Sequence, residues 1–432
     1  MRIAQIVPGT GLPYYCENCG RDGSLAAALR DRGHEVVVGT LYLPPAPGPR
    51  AAPVFYGAVN LYLRHRFPGF ARTPAWVRRA LDSRGLLRLA GSFSGASSAA
   101  GLEGLTLSML RGEEGGQAEE LARLVDWLKG IRPDAVHLSN CLLSGIARRV
   151  RRELGVPVAC SLQDEDTWID AMEEPARGAA WRILGENAAN VDVLAAVSRY
   201  YADFMGARMA IPAGRMAVVP IGIDVEGFSA APSGLPFDPP VIGFLSRVCE
   251  RMGAGLLADA YVLLARGGRL PGLRLRLTGG GTGADGACVR AVRRTLARHG
   301  LLSRADFVRP FGRGDRARFL RSLTVLSVPA PAGEAFGTFL LEAMACGVPV
   351  VEPRVGGFTE LIEQTGGGVL YEPNTPGALA AALEGVLSDK VNAPALGQAG
   401  RNAVLSRYTA AHMAAGLERA LVQVSTGARG GS

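Results

Sequence analysis

Short apolar runs alternate with longer amphipathic stretches along most of this chain. In the first half the apolar runs are RIAQIV, HEVVVGT, PDAVHLS, VPVACSL, VDVLAAV and AVVPIG, and SLAAALRDRG has helical periodicity. In the second half PVIGFLS, LRLRLTG, ADFVRPF, LTVLSVP and VPVVEP continue the series. Continuous apolar strands separated by helices are typical of parallel sheets that are covered on both faces. The pattern therefore predicts an α/β protein with two doubly wound parallel sheets.

The length of the chain and its turn-forming segments predict the domain organisation. The 432 residues, 48% of them hydrophobic, exceed what one core usually holds. A segment rich in Pro, Gly and Ser separates the two strand series, as a linker does. We predict a first domain over 1–228, a linker over 229–240, a second domain over 241–404, a helix over 405–424 that crosses back to the first domain, and a disordered tail over 425–432.

Residues 44–116 lack this alternation and are predicted to be an insertion over one face of the first sheet, where we expect the acceptor to be selected. Between positions 64 and 88, arginines alternate with aromatic and leucine side chains. Such a face can rest on an anionic membrane or hold an anionic acceptor. A solvated helical face is the more frequent explanation of a charge run. No pattern of a nucleic-acid-binding module accompanies the net charge of +8, so nucleic acid is not an expected partner.

Composition also bears on the compartment and on metal sites. No apolar run approaches the roughly 18 residues of a membrane-spanning helix, and the start MRIAQIVPGTG does not have the pattern of a signal peptide. The seven cysteines include one CxxC pair, Cys16 and Cys19, without the second pair that a zinc site needs. We expect reduced cysteines and a cytoplasmic protein, with peripheral contact at the inner membrane face left open.

The segment PAGEAFGTFLLEAMACGVPVV carries the most informative chemistry. A Pro/Gly loop turns here into an apolar helix that is predicted to begin near Phe336 and Gly337. The first N–H groups of a helix and the positive end of its dipole form a site for a phosphate or diphosphate. Glu334 precedes this end, and Glu342 lies between one and two turns inside the helix, where its carboxylate can accept hydrogen bonds from ribose hydroxyls.

This segment resembles the glutamate pair of the retaining glycosyltransferases with the GT-B architecture, in glycosyltransferase family 4. Three other segments resemble further motifs of the same family. The other segments are GFLSRVCERMGAG at 243–255, LRLRLTGGGTGAD at 273–285 and RVGGFTELI at 354–362. The resemblance implies two Rossmann-like domains that face a central cleft. It also implies transfer of a sugar from a nucleotide diphosphate to a hydroxyl acceptor with retention of configuration, and neither a cofactor nor a metal.

The resemblance and the ligand edges of the two sheets predict the site residues. The catalytic candidates are Glu334, Arg247 and Gln163. The donor-binding candidates are Arg247, Arg251, Gly280, Glu334, Phe336, Gly337, Thr338 and Glu342. The candidates for the acceptor and phosphate loop are Gly9, Gly11, His137 and Asp164. Three of these have a structural alternative, since the turn with Gly9 and Gly11 can lack a ligand and His137 can be a buried histidine that only satisfies neighbouring groups.

Two departures from the family pattern affect the predicted site residues. Met252 stands where the family has a diphosphate-binding lysine, and Arg251 beside it is a candidate replacement, although its register points it elsewhere unless the backbone adjusts. Gln163 stands where many relatives have a histidine, and it cannot act as a general base. The acidic residues at 164–166 that follow it are expected to form a solvated loop rather than a metal site.

These departures leave two alternatives to an active transferase. One is a non-catalytic or regulatory protein that binds nucleotide sugars but does not turn them over. The other is a different sugar-nucleotide enzyme of the same architecture, such as an epimerase or a phosphorylase. A phosphorylase needs a pyridoxal lysine in the second domain. The one lysine there, Lys390, follows Ser-Asp near a helix end, which does not favour a phosphorylase.

Overall fold

The computed structural model describes residues 1–9, 17–42, 54–56, 101–212, 214–280, 285–308 and 313–427. The chain divides into two compact units. The first is made of the described residues within Met1–Leu12, Asn18–Pro220 and Met413–Ser432, and the second of those within Pro13–Glu17 and Ile221–His412.

The first unit is built on a parallel sheet of six strands in the order β2-β1-β3-β4-β5-β6. Ile3 on the first strand pairs with Val36 on one side and Ala135 on the other, and all three side chains are buried. The strands are β1 (Arg2–Val7), β2 (Glu35–Thr40), β3 (Ala135–Leu138), β4 (Val158–Leu162), β5 (Val193–Ala196) and β6 (Met216–Val218).

Helices with one apolar stripe cover this sheet. In α3, for example, Leu121, Leu124, Val125 and Leu128 recur at helical spacing and are buried. The described helices of the unit are α1 (Glu17–Asp31), α2 (Glu103–Leu110), α3 (Ala118–Ile131), α4 (Ala147–Leu154), α5 (Glu165–Asp170), α6 (Ala176–Ala188) and α7 (Arg199–Arg208).

The second unit repeats the architecture with the strand order β12-β11-β10-β7-β8-β9. Its strands are β7 (Val241–Leu245), β8 (Arg274–Thr278), β9 (Ala305–Phe307), β10 (Val325–Leu326), β11 (Val350–Pro353) and β12 (Gly368–Tyr371). Its described helices are α8 (Ala254–Gly267), α9 (Gly286–Arg298), α10 (Arg313–Leu320), α11 (Thr338–Ala345), α12 (Gly357–Thr365), α13 (Pro376–Ser388) and α14 (Asn392–Arg407). The last helix, α15, spans Ala410–Gly427.

The boundary between the two units falls at residues 220/221 and again at 412/413. Residues 221–228, which we expected at the end of the first domain, lie within the second unit. The Ile223 N–H donates to the Tyr408 carbonyl at 2.9 Å, and the Ala410 N–H donates to the Ile223 carbonyl at 2.8 Å. In the first unit, Glu418 of α15 accepts a hydrogen bond from Arg32 Nε at 2.7 Å.

Both sheets have a topological switch point, between β1 and β3 in the first and between β7 and β10 in the second. At such a point the chain leaves neighbouring strands in opposite directions, and a ligand crevice opens at their carboxyl ends. The two doubly wound parallel sheets confirm the predicted fold class. The strand β12 was not predicted, because its residues GVLY begin with the last of three successive glycines and three of the four are only partly buried.

Candidate functional site

The loop after β7 carries Arg247, two residues beyond the strand end. This loop is held against the end of β8, since the Val248 N–H donates to the Gly280 carbonyl at 3.1 Å. A Cβ on Gly279, whose φ is +127°, would lie 2.0 Å from the Ser246 carbonyl oxygen, so only glycine permits this approach. Arg247 Nε lies 3.0 Å from the carboxylate of Asp285. The pair fixes a guanidinium at the carboxyl edge of the second sheet.

Arg251 and Met252 lie in a 3₁₀ turn over Glu250–Met252 and face different surroundings. Met252 is 2% exposed and belongs to the core. Arg251 donates from Nη1 to Glu334 Oε1 at 2.7 Å. The guanidinium therefore reaches the candidate site, in contrast to the direction expected from its register, because a 3₁₀ turn rotates successive side chains by about 120°.

Two glycines hold the loop of Glu334 in place. The Gly357 N–H donates to the Glu334 carbonyl at 2.8 Å. A Cβ on Gly357 would lie 2.4 Å from the Ala335 carbonyl oxygen, and one on Gly356, at φ +61°, would lie 2.9 Å from the Glu334 carbonyl oxygen. The GG of the RVGGFTELI segment thus sets the backbone that carries the buried Glu334 side chain.

The helix α11 begins at Thr338, one residue after Gly337, which has a φ of +97°. A Cβ on Gly337 would lie 3.0 Å from the ring of Phe358. Phe336 is buried, and its ring centroid lies 6.0 Å from that of Tyr408. The predicted junction of loop and helix is present, with the positive end of the helix dipole three residues from Glu334.

Glu342 lies in the second turn of α11 and is buried. Arg316 on α10 donates from Nε to Oε1 and Oε2 at 3.2 and 3.1 Å, and from Nη2 to Oε1 at 3.0 Å. Arg316 was not predicted as a site residue. A signal was present, since Phe319 and Leu320 follow it at i+3 and i+4 and are buried, which places the arginine beside the apolar face of its helix.

On the first unit, Gln163 is buried at the end of β4 and is held by Arg21 of α1. Arg21 donates from Nη1 to Gln163 Oε1 at 2.6 Å, from Nη2 to Asp22 Oδ1 at 2.8 Å and from Nη2 to the Ser139 carbonyl. Sequence reasoning missed Arg21. Its spacing from Leu25 on the same apolar stripe was the available signal, because an arginine on a buried stripe needs polar partners.

Glu165 is 2% exposed, so the expected solvated loop at 164–166 is wrong for this residue. Its carboxylate accepts from the Cys141 N–H at 2.9 Å, from the Gln163 N–H at 2.6 Å and from the Tyr201 hydroxyl at 3.0 Å. Burial raises the pKa of Glu165 to about 7, against the lowering effect of these hydrogen bonds. The loop is turned inward because Asp164 adopts a left-handed conformation with φ +59°.

This pKa predicts a pH dependence of stability. Between 4.5 and about 7 the folded protein keeps a proton on Glu165 that the unfolded chain releases. The free energy of unfolding of the wild type, relative to that of Glu165→Gln, should therefore fall as the pH rises from about 5 to about 8. Denaturant unfolding of both proteins across this range measures the difference. Parallel pH curves for the two would show that Glu165 has an ordinary pKa.

His137 has no exposed surface, and its Nε2 lies 2.9 Å from Ser161 Oγ. Burial, together with the positive charge of Arg21, lowers the pKa of His137 to about 3, so the ring is neutral at neutral pH. These contacts favour the alternative of a buried, structural histidine. In the first loop, Gly9 lies two residues after β1 and has a φ of +109°.

Several candidates lie outside the described residues. These are Gly11, Cys16 and the basic segment at 64–88. Within the described ranges, no group of three or more His, Cys, Asp or Glu side chains is arranged to hold a metal ion. In the same ranges, no helix combines the length and the apolar character that crossing a membrane requires.

Sequence comparison covers both halves of the chain. Residues 23–222 match the glycosyl transferase 4-like domain, and residues 239–389 match glycosyl transferases group 1. The chain belongs to glycosyltransferase family 4, the group 1 glycosyltransferases. This family 4 chain is 28% identical over 285 residues to D-inositol 3-phosphate glycosyltransferase of Acidothermus cellulolyticus, covering 60% of this chain and 61% of that protein. It is 30% identical over 207 residues to the enzyme of the same name from Mycolicibacterium paratuberculosis, covering 46% and 44%. The matches thus span about half the length of these relatives.

Solved structures place the family 4 chain in the GT-B fold. The Anabaena protein Alr3699/HepE in complex with UDP superposes with a TM-score of 0.70 at 17% identity, over 98% of this chain and 100% of that chain. Sucrose-phosphate synthase (tll1590) from Thermosynechococcus elongatus gives a TM-score of 0.70 at 18% identity, over 99% and 100%. The two six-stranded parallel sheets are the two domains of this α/β fold.

Proposed function

We propose that this chain is a retaining glycosyltransferase that moves a sugar from a nucleotide diphosphate to a hydroxyl acceptor. The observation that carries the proposal is the arrangement around the start of α11. A carboxylate with an arginine partner, Glu334, precedes the helix by a short loop, and a second carboxylate with an arginine partner, Glu342, lies in its second turn. This spacing fits a sugar, a diphosphate and a ribose in sequence.

The diphosphate is assigned to the start of α11. The N–H groups at Gly337 and Thr338 and the helix dipole favour its negative charge. Arg247 and Arg251 supply the guanidinium groups that neutralise the leaving diphosphate as the glycosidic bond breaks. In this assignment Arg251 takes the role for which Met252, a core residue, is unsuited.

The two carboxylates recognise the two sugars of the donor. Glu334 accepts hydrogen bonds from hydroxyls of the transferred sugar, and Glu342 from the hydroxyls of the ribose. Hydrogen bonds from neutral hydroxyls to ionised acceptors are stronger than those between neutral groups, so both contacts contribute to orientation. Each carboxylate is already oriented by its arginine before the donor binds.

Retention is inferred from family membership. The acceptor hydroxyl attacks the anomeric carbon from the face that the diphosphate leaves, and a phosphate oxygen of the leaving group takes the hydroxyl proton. No protein base is required on this path, which accommodates Gln163 in the position of the family histidine. Gln163, whose side chain is oriented by Arg21, stays a catalytic candidate, and Gly9, Gly11 and Asp164 stay candidates for the acceptor side.

Partners and setting are proposed from the relatives and the cysteines. A complex of the Anabaena protein with UDP-glucose makes UDP-sugars the first donors to test. The names of the D-inositol 3-phosphate glycosyltransferases make phosphorylated polyols the first acceptors to test. Among the described residues, five cysteines are buried and free, which agrees with a reducing, cytoplasmic setting. Contact with an anionic membrane through residues 64–88 stays a prediction.

A donor panel tests the proposal. The purified protein is incubated with UDP-, GDP- and ADP-sugars, with and without inositol phosphates and simple sugars, and released nucleotide is measured. We expect acceptor-dependent release with one nucleotide, and a donor KM that Glu342→Ala raises by about tenfold or more, because the ribose contact is lost. Tight donor binding without release for any acceptor would instead identify a non-catalytic nucleotide-sugar-binding protein.

A further inference from the structure

Arg316 contacts Glu342 from a separate helix, and the proposed function gives it no contact with the donor itself. The two residues are 26 positions apart, and three N–H···O contacts between 3.0 and 3.2 Å join them. The Glu342 side chain is buried, and the Arg316 side chain is mostly buried. The contact is therefore a partly desolvated ion pair rather than a solvated surface pair.

The sequence of α11 explains why Glu342 needs a partner from outside its helix. The helix reads TFLLEAMA, in which Glu342 is the one charged residue, and all eight of its residues are buried. An ionised carboxylate in such surroundings is costly unless a cation and hydrogen bonds compensate for the lost water. Arg316 supplies both, because its planar guanidinium donates two N–H groups in a fixed fork.

The fork also fixes the direction in which the carboxylate points. A carboxylate offers about four acceptor positions, so one that binds a guanidinium along one edge can still bind ribose hydroxyls. Without the guanidinium, a buried carboxylate tends to take up a proton, and it then loses acceptor capacity. Arg316 therefore acts on ribose recognition through both the charge state and the orientation of Glu342.

We propose that Arg316 is a positioning residue that holds Glu342 for the ribose, and that the pair makes this chain select ribonucleotide over deoxyribonucleotide donors. The inference rests on the proposed function of Glu342 in binding the ribose. It predicts that substitution of Arg316 lowers the preference for ribonucleotides over deoxyribonucleotides more than it weakens binding of the diphosphate.

Titration calorimetry with UDP, GDP and ADP and with their 2′-deoxy counterparts tests this inference. For the nucleotide that binds, the wild type should prefer the ribose form by about tenfold or more, as expected for a hydrogen bond to a charged acceptor. In Arg316→Gln the preference should fall to about threefold or less. Arg316→Lys keeps the charge without the fork, so its preference should be intermediate. In the donor panel, Arg316→Gln should raise the donor KM more than it lowers kcat.

Arg318→Gln is the matched control, because Arg318 is on the same helix, is 78% exposed and pairs with Asp315 at the surface. It should leave the ribose preference unchanged. If Arg316→Gln proves unstable in thermal unfolding, Arg316→Lys decides the question through the same ratio. A ribose preference as large as that of the wild type in a folded Arg316 variant overturns this inference alone. Equal binding of both forms by the wild type overturns the role of Glu342 and this inference with it.

Discussion

Glu334→Gln should lower kcat for sugar transfer by about 10²- to 10³-fold while leaving the affinity for the free nucleoside diphosphate nearly unchanged. The reason is that the proposed contact of Glu334 is with the transferred sugar, which the free diphosphate lacks. Glutamine keeps the size of the side chain but loses the charge that strengthens the hydrogen bonds to sugar hydroxyls and pairs with Arg251. Steady-state kinetics and calorimetry with UDP measure the two quantities.

The control for this substitution is Glu363→Gln. Glu363 is also paired with an arginine, Arg354, but it lies at the surface of the same unit, and its loss should leave kcat unchanged. An equal loss of UDP affinity and kcat in Glu334→Gln would place Glu334 at the nucleotide rather than at the sugar. An unchanged kcat would remove it from the catalytic residues.

Arg251→Gln should lower kcat/KM for the donor by about 10²-fold or more and should also weaken UDP binding. The substitution removes a cation from the leaving diphosphate and breaks the ion pair that Arg251 forms with the buried carboxylate of Glu334. Arg251→Lys should retain part of the activity because it keeps the charge. Kinetics with the donor identified in the panel, together with UDP calorimetry, measure the effect.

Met252→Lys separates the role of Arg251 from that of the family lysine. Met252 is 2% exposed, so a lysine there must bury its ammonium or displace the 3₁₀ turn, and we expect a lower melting temperature without a gain in activity. A rise in activity in the single variant Met252→Lys would contradict the claim that Arg251 takes the role of the family lysine.

Arg177→Gln is the control for Arg251→Gln, since Arg177 is 41% exposed and Arg251 is 43% exposed. A fully active Arg251→Gln would also contradict the claim that Arg251 takes the role of the family lysine.

The elements and their order were predictable because each depends on local periodicity. Apolar runs with helices between them indicated two parallel sheets, and the loop-to-helix junction at Gly337 was located to within a residue. The edge strand β12 was the exception. Its four residues begin with a glycine and follow two others, so the apolar pattern is too short to stand out.

The side-chain contacts at the site were not predictable, because each joins residues that are distant in sequence. Arg251 and Glu334 are 83 positions apart, and Arg21 and Gln163 are 142 apart. Such pairs depend on how helices and loops pack, which periodicity does not specify. What the sequence does carry is the cost of burial, since Arg21 lies on an apolar helix stripe that could not be buried without polar partners.

At Glu165 the sequence pattern led to a wrong prediction, because a solvated side chain was expected and the side chain is buried. Three successive acidic residues favour a solvated loop on composition, yet one of them turns inward to three hydrogen-bond donors. The inward turn depends on the left-handed conformation of Asp164, which a run of acidic residues does not reveal. The conformation of one residue therefore accompanies the burial of its neighbour Glu165, while Asp164 and Asp166 stay partly exposed.

A crystal structure of the protein with bound UDP tests the central claim most directly. We predict density for the diphosphate within hydrogen-bond distance of the N–H groups at the start of α11, beside the guanidinium groups of Arg247 and Arg251. The ribose hydroxyls should lie on the Glu342 carboxylate, with Arg316 on its other edge. A nucleotide bound elsewhere on the chain, or a diphosphate distant from α11, would contradict the assignment of this helix end as the donor site.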